Sequence, residues 1–206
     1  MLDVMFAKLR LYDDISDAEE RDLRGAATRT NKYRRGETIV PADTELTHST
    51  YVEQGLAHRF KDLLGGQRQS LELGIPGDFV DLHSMLMKRI DHDVAALTDC
   101  LTVSFPHERL LEVTAKHPHL ARVLWLTTVI DAAIHRQWIL SLGARDALQR
   151  MTHFFCETMV RKQAVGLADS EGYELPITQS ELAEMLGMTA VHAKHLGQFG
   201  STTGPG

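Results

Sequence analysis

Cysteine is scarce in this chain, with two in 206 residues, Cys100 and Cys156. They lie far apart, and neither belongs to a Cys-x-x-Cys pair or to a Cys/His spacing of the metal-binding kind, so both read as plain buried or half-buried thiols. The simplest route to an iron–sulfur sensor, a cysteine cluster, is thereby excluded. Long apolar runs are missing as well, since no stretch approaches the roughly 18 to 20 uninterrupted apolar residues of a membrane span. The opening residues MLDVMFAKLRLYDDIS lack the charged start and apolar middle of a secretory signal, and the expectation is a cytoplasmic chain with no membrane association. Basic charge is in short supply, 22 Lys and Arg against 28 Asp and Glu, for a net charge of -6. Such a balance argues against broad, sequence-blind binding of nucleic acid and leaves room for a small local reader. Nucleophile motifs, phosphate loops and ligand pairs at helical spacing are also absent, so no enzyme is expected. The 11 histidines are scattered, a distribution that reads as surface, although His117 and His119 flank Pro118 where they could sense pH.

What is present fits an ordinary folded protein, with 43% hydrophobic and 24% charged residues, long enough for one large domain or, the preferred reading, two modest ones. Residues 2–11 and 16–27 read as short helices, the second opened by a capping box of Ser16 and Glu19 that satisfies free backbone donors. From Tyr33 to Pro106, short alternating runs punctuated by Gly, Pro and Asp take over. ETIV, STYVEQG, LAHRFKDL, RQSLELGIPGDFV, DVAALTDC and LTVSFP are the strand candidates. Turn signals at Arg35-Gly36, Gly55, Gly65-Gly66 and Pro76-Gly77 separate several of them at intervals suited to an antiparallel sandwich or roll.

PHERLLEVTAKHP then reads as a short helix and His119 to Leu142 as a long one. Along it Leu120, Val123, Thr127, Ile130, Ile134 and Gln137 recur at spacings of three and four, the seam of a helix that packs lengthwise on a partner. An internal core helix is the alternative. Gly143 is expected to break it and Arg145 to begin another helix, whose buried face would be Leu148, Met151, Phe155, Met159 and Val160. After a polar connector, ITQSELAEMLGMTAVHAKHL reads as two helices joined at Gly187, the residue able to take the positive φ of a tight helix-turn-helix bend. Thr178 with Glu181 caps the first helix and Thr189 the second, beneath which Val191 and Leu196 would bury. In such a motif the exposed early residues of the second helix, Ala190, His192, Lys194 and His195, would meet base edges. Thr178, Gln179 and Thr189 complete the expected DNA-binding set. A structural helical hairpin is the alternative, and one Lys with two His is thin chemistry for reading bases.

YRRGETIVPADT, YVEQGLAHRFK, GIPGDFVDLHSML and LPITQSELAEMLGMTAVH together make the chain resemble the Crp/Fnr superfamily of bacterial transcription regulators over nearly its whole length. The resemblance implies an α+β chain: an N-terminal double-stranded β-roll, jelly-roll-like, as sensor domain over residues 1–116; a long dimerisation helix over 117–143; and a C-terminal helix-turn-helix domain over 144–206. It implies a homodimer that binds DNA and responds to a small-molecule effector. Gly36, Gly55, Gly77 and Asp78 match the family's turns. Where the family's nucleotide binders carry Gly-Glu and Arg-Ser or Arg-Thr, this chain has Asp81-Leu82 and His92-Asp93. Asp91 and Asp93 would repel a cyclic phosphate, so cyclic AMP is disfavoured and the cofactor left open. Asp81, His83, Lys88, Arg89 and His92 form the expected effector pocket. A metal site of Asp81, His83, Asp91, His92 and Asp93 is conceivable, but their irregular spacing favours a solvated polar surface. After the second helix, GQFGSTTGPG has neither base nor acid. From Arg145 onward 5 bases face 7 acids, and the expectation is a helix-turn-helix without a complete wing that binds operators weakly. An effector-binding or dimerising protein that has lost productive DNA binding is the alternative.

Overall fold

Two short helices open the chain, α1 (Asp3–Leu9) and α2 (Asp17–Ala26). The capping box of α2 is complete: the Ser16 hydroxyl accepts from the Glu19 amide at 3.4 Å, and the Glu19 carboxylate accepts from the Ser16 amide at 2.9 Å. The computed structural model describes residues 1–189, 191, 193 and 194. Expectations for Ala190, His192, His195, Leu196 and the wing lie outside the described residues.

Seven strands follow among the described residues: β1 (Arg29–Tyr33), β2 (Thr38–Val40), β3 (His48–Gln54), β4 (Ala57–Asp62), β5 (Arg68–Gly74), β6 (Asp93–Ala96) and β7 (Cys100–Pro106). They form two open antiparallel sheets, ordered β1-β7-β3 and β2-β6-β4-β5. Val52 and Cys100 from the first sheet share one buried cluster with Val40, Ala57 and Val94 from the second, which makes the two sheets the faces of a roll. The strand expectations hold except at β1, whose residues RTNKY carry no apolar alternation. It is an edge strand, paired on one side only from Arg29 opposite Ser104 to Tyr33 opposite Cys100, and mostly solvated. Between β5 and β6 a one-turn helix, α3 (Ser84–Met87), interrupts the expected loop.

The helices α4 (His107–Lys116), α5 (Pro118–Ala144), α6 (Ala147–Ala164) and α7 (Gln179–Leu186) complete the chain. Pro118 sits in the first turn of α5, where its missing N–H costs nothing. With 27 residues, α5 is about 40 Å long. Gly143 does not break it: the helix runs through to Ala144, and the break falls at Arg145 and Asp146. Asp146 then starts α6 with its own capping box, accepting from the Gln149 amide at 2.9 Å. No helix among the described residues is long and apolar enough to cross a membrane.

Two expected faces are corrected. Leu120 and Val123, read as a dimer seam, are buried in the chain's own core with Phe6, Leu23, Tyr51, Phe105 and Leu110, while Thr127, Ile130 and Ile134 are half-buried against the same molecule. The apolar surface that α5 leaves uncovered lies on another side, at Trp125, Val129, Ile139 and Leu140, with Trp125 69% and Ile139 70% exposed. On α6 the buried side chains are Met151, Phe154, Thr158 and Lys162, whereas Leu148, Phe155 and Val160 point outward. Both helices carry apolar residues on more than one face, so periodicity alone cannot say which face the core takes. A third cluster joins Leu56, Leu73 and Ile75 of the roll to Trp138, Met151, Phe154, Met185 and Leu186, so α5, α6 and α7 pack against the roll rather than hanging from it.

Gly55, between β3 and β4, has φ +87, and a Cβ there would lie 2.3 Å from the Asp99 carbonyl oxygen and 2.9 Å from the Cys100 Cα. Gly66 has φ +76 with nothing within 4 Å. Gly66→Ala is expected to cost about 1 kcal/mol from backbone strain alone, and Gly55→Ala at least about 3 kcal/mol because backbone must also move; urea unfolding of both variants measures the difference.

Candidate functional site

Arg59 on β4 and Glu72 on β5 face one another across the sheet, and both are buried. The guanidinium of Arg59 donates to the Val80 carbonyl at 2.7 Å, to the Phe79 carbonyl at 3.3 Å, to Asp131 at 3.2 Å and to Glu72. Asp131 and His135, one turn apart on α5, face the roll, and His135 Nε2 lies 2.8 Å from the Glu72 carboxylate. Arg161 of α6 reaches the same place from the other side. It donates to Asp78 at 2.7 Å, to the Leu73 carbonyl at 2.8 Å and to Glu157 at 3.3 Å. Lys8 of α1 pairs with the second oxygen of Asp78, whose carboxylate also accepts from the Ile75 amide at 2.9 Å to close the PGD turn. Burial alone would raise Asp78, yet Lys8 and Arg161 outweigh it and hold the carboxyl at about 2. Asp131 goes the other way, pushed up to about 6 by burial and by the Glu72 carboxylate.

Between the β4–β5 sheet and α5 lies a cavity of about 460 Å³. Leu71, Ala132, Trp138, Ile139 and Leu142 give it apolar walls; Arg59, His83, His92 and Asp131 supply polar wall, with Asp91 at 74% side-chain exposure on the rim. Of the expected effector residues, His83 and His92 are brought together here, their ring centroids 5.8 Å apart. The other three are elsewhere. Asp81 is fully buried and accepts from the Thr50 amide and hydroxyl. Lys88 ends α3 in the left-handed region and lines a different, polar cavity, and Arg89 donates to the Asp43 carbonyl at 3.2 Å. The segment 81–93 is therefore a solvated surface only in part, with Asp81 and His92 buried and Lys88, Arg89 and Asp91 exposed, and among the described residues no group of His, Cys, Asp or Glu gathers closely enough to hold a metal ion. Nor are the histidines uniformly superficial, since His58, His92 and His107 are buried. His117 and His119 tie the start of α5 to α2, the first 2.6 Å from Asp22 and the second 2.7 Å from Glu19.

Burial pushes the His83 imidazole down to about 4 and lowers His92 as well, against the pull of Asp91. Both rings are neutral at pH 7. Arg59, Asp131 and His135 went unnoticed in the sequence. An acid and a histidine at i, i+4 amid the apolar run TTVIDAAIHRQW were the available signal.

At the other end of the chain, Thr178 caps α7, its hydroxyl accepting from the Glu181 amide at 3.2 Å. Gly187 ends the helix at φ 58, ψ 46, a left-handed conformation that favours glycine, and a Cβ there would press on the end of the Leu142 side chain of α5 at 2.8 Å. The Ala193 amide donates to the Thr189 carbonyl at 3.0 Å, the bond that opens the second helix. Thr178, Gln179, Thr189 and Lys194 are exposed. Val191, expected beneath the helix, is 68% exposed, and Ala193 is buried in its place. The motif is held to the roll by Arg35, which pairs with Glu181 at 2.8 Å and donates to the Pro176 carbonyl at 2.6 Å, and by Gln69, which donates to the Glu184 carbonyl at 2.8 Å. The bases from Arg145 onward are mostly taken up internally: Arg145 by Ser141, Arg150 by the Leu186 and Gly187 carbonyls, Arg161 by Asp78, and Lys162 by the Glu174 carbonyl.

Burial pushes Asp81 up to about 7 from the ordinary 3.8, despite the two Thr50 donors. A carboxyl raised in the folded state favours the protonated form, so its contribution to stability is greatest below about pH 4 and is lost as pH rises to about 7. Asparagine keeps an acceptor for the Thr50 amide without the charge. Asp81→Asn is expected to match the unaltered chain at pH 4 and to exceed it by about 2 to 4 kcal/mol above pH 7, as read by denaturant unfolding across that range.

Residues 30–117 match the family described as "Cyclic nucleotide-binding domain". The transcriptional activator protein FnrL of Cereibacter sphaeroides is 28% identical over 176 residues, covering 84% of this chain and 70% of that protein. The nitrogen fixation regulation protein FixK of Bradyrhizobium diazoefficiens is 27% identical over 174 residues, 84% of this chain and 71% of that protein. In fold the chain is similar to FixK2 from Bradyrhizobium japonicum, with a TM-score of 0.76 at 24% identity over 87% of this chain and 89% of that one. These sequence relatives are regulators, not enzymes. In sequence and in fold the chain is similar to the Crp/Fnr superfamily of bacterial transcription regulators.

Proposed function

We propose that the chain is a cytoplasmic, homodimeric regulator that reads DNA with its helix-turn-helix and is controlled through the cavity beneath α5. The observation that carries this reading is the capped helix α7, its left-handed bend at Gly187 and the opening turn of a second helix, all packed on both the roll and α5. A two-fold dimer would set two such motifs on the half-sites of a palindrome, about one helical turn apart. The partner would seat on the side of α5 that its own chain leaves bare. Trp125, Val129, Ala132, Ile139 and Gly143 recur there at the spacing of a coiled-coil seam, interrupted by Arg136. Ala132 and Ile139 also line the cavity, so a partner at this seam would touch the wall that an effector touches. An effector would act by favouring one arrangement of α5 and α7 over another.

A second reading is favoured by the internal use of Arg145, Arg150, Arg161 and Lys162: a dimerising effector-binding protein with little DNA affinity of its own. Band shifts at low salt with palindromic and random duplexes separate the two. A retarded complex with the palindrome is expected, and a folded dimer that shifts neither duplex overturns DNA reading. Replacing both Trp125 and Ile139 by Glu places charges in the proposed seam. Light scattering should then give half the mass of the unaltered chain at micromolar concentration, with the band shift lost; a mass that does not change overturns this seam.

A further inference from the structure

Asp131 stands on the cavity wall with 24% of its side chain exposed. One carboxylate oxygen, Oδ2, accepts from Arg59 at 3.2 Å, and the other, Oδ1, makes no hydrogen bond among the described residues. Oδ1 is not one of the polar atoms sealed from solvent, so it is open to what the cavity holds. Burial and the Glu72 carboxylate disfavour the charge and push the carboxyl up to about 6, yet at pH 7 the ionised form still predominates. A carboxylate accepts and cannot donate, so the partner that Oδ1 lacks is a donor, and a positively charged donor makes the stronger bond.

The charges facing this wall decide the sign of the ligand. Arg59 is shared between Asp131 and Glu72 and also donates to the Val80 and Phe79 carbonyls. Behind it Lys8 pairs with Asp78, and Arg161 with Asp78, Glu157 and Glu72. His135 meets Glu72 through Nε2, which a neutral ring does as its Nε2–H tautomer. On the rim Lys61 and Asp91 cancel each other. Three cations against four carboxylates leave one negative charge in excess, and Asp131 is the most exposed of the four acids. A cyclic phosphate would meet this carboxylate and no free cation among the described residues of the wall, so the residues do not fit the ligand that the domain's description suggests. The remaining wall, Leu71, Ala132, Trp138, Ile139 and Leu142, suits an apolar body.

We infer that the cavity takes a small molecule with an apolar body and one protonated amine, the amine being delivered to Asp131 Oδ1. This rests on reading the cavity as the effector site, but the test below measures ligand binding alone, so failure to bind DNA would leave it standing. Tryptamine is a suitable probe, an indole ring with an ethylammonium arm. Tryptophol carries a hydroxyl in place of the ammonium, and indole-3-propionate a carboxylate. Titration calorimetry of the full chain at neutral pH should show saturable binding of tryptamine, tryptophol weaker by about tenfold or more, and no binding of indole-3-propionate or cyclic AMP. Asp131→Asn, checked for folding by its melting transition, keeps an oxygen for Arg59 without the charge. It should lower tryptamine to the level of tryptophol and leave tryptophol little changed. The comparison of the three indoles on the unaltered chain needs no variant. Equal affinities for tryptamine and tryptophol, tighter binding of either anion than of tryptamine, or no tryptamine binding up to millimolar concentration each overturns the assignment. So does a folded Asp131→Asn chain that holds tryptamine as tightly as before.

Discussion

The buried ion network centred on Arg59 and Arg161 is the constraint on which the rest of the arrangement depends. Lys8, Arg59 and Arg161 meet Glu72, Asp78, Asp131 and Glu157 in a mostly buried space, three cations against four carboxylates. These groups come from α1, β4, β5, the PGD turn, α5 and α6. Desolvating so many charges offsets most of their attraction, and well-packed apolar residues of similar volume could be as stable. What such a network supplies is selectivity. The pair of Asp131 with Arg59 and that of Arg161 with Asp78 form only when α5 and α6 lie in this position relative to the roll, and a displaced helix would lose them. Asp131, with its carboxyl raised to about 6, is the member in which the excess negative charge is least comfortable, and it stands at the cavity wall.

The position of Asp131 matters because α5 faces two ways. Its inner side brings Asp131, His135 and Trp138 to the roll, and its outer side carries Trp125, Val129, Ile139 and Leu140. Its far end meets the glycine of the helix-turn-helix bend through Leu142. A molecule in the cavity therefore touches the element that also bears on the DNA-reading motif. The proposed coupling would require no long relay, since Leu142 lines the cavity and lies against Gly187. Ligand binding can shift the motif only to the extent that it favours one position of this helix end.

The features legible in the sequence were those settled within a few residues. The Ser16 and Thr178 capping boxes, the bend at Gly187 and the turn at Gly55 need only local chemistry, and each stands where it was read. What failed depended on distant partners. β1 is a strand because β7 offers it an edge, not because RTNKY alternates. Gly143 lies in the last turn of a 27-residue helix, where one glycine costs only about 1 kcal/mol, and the stop comes from Asp146 and Gln149, a box readable in the sequence. The pairing of Arg59 with Glu72 appears only once the β4–β5 register is known. Three of the five expected effector residues are displaced likewise: within 81–93, sequence neighbours point variously into the core, the cavity and solvent, so adjacency in the chain says little about adjacency in space.

The same internal demand for cations bears on how this fold can read DNA. Arg161 and Lys162 lie on the inner side of α6, and Arg150 holds the carbonyls at the end of α7. These bases position the motif and are withdrawn from the surface, leaving Lys194 as the exposed base on the described part of the second helix. Phosphate contacts would then come mainly from polar groups such as Thr178, Gln179 and Thr189 and from backbone amides at helix starts. Such contacts orient a protein on the duplex but release few counterions, so a single motif gains little of the electrostatic affinity that supports most DNA binding. Two motifs joined rigidly convert the second encounter into an intramolecular one. On a scaffold that turns its cations inward, affinity for DNA would rest on the proposed dimer, and control of α5 would become control of binding itself.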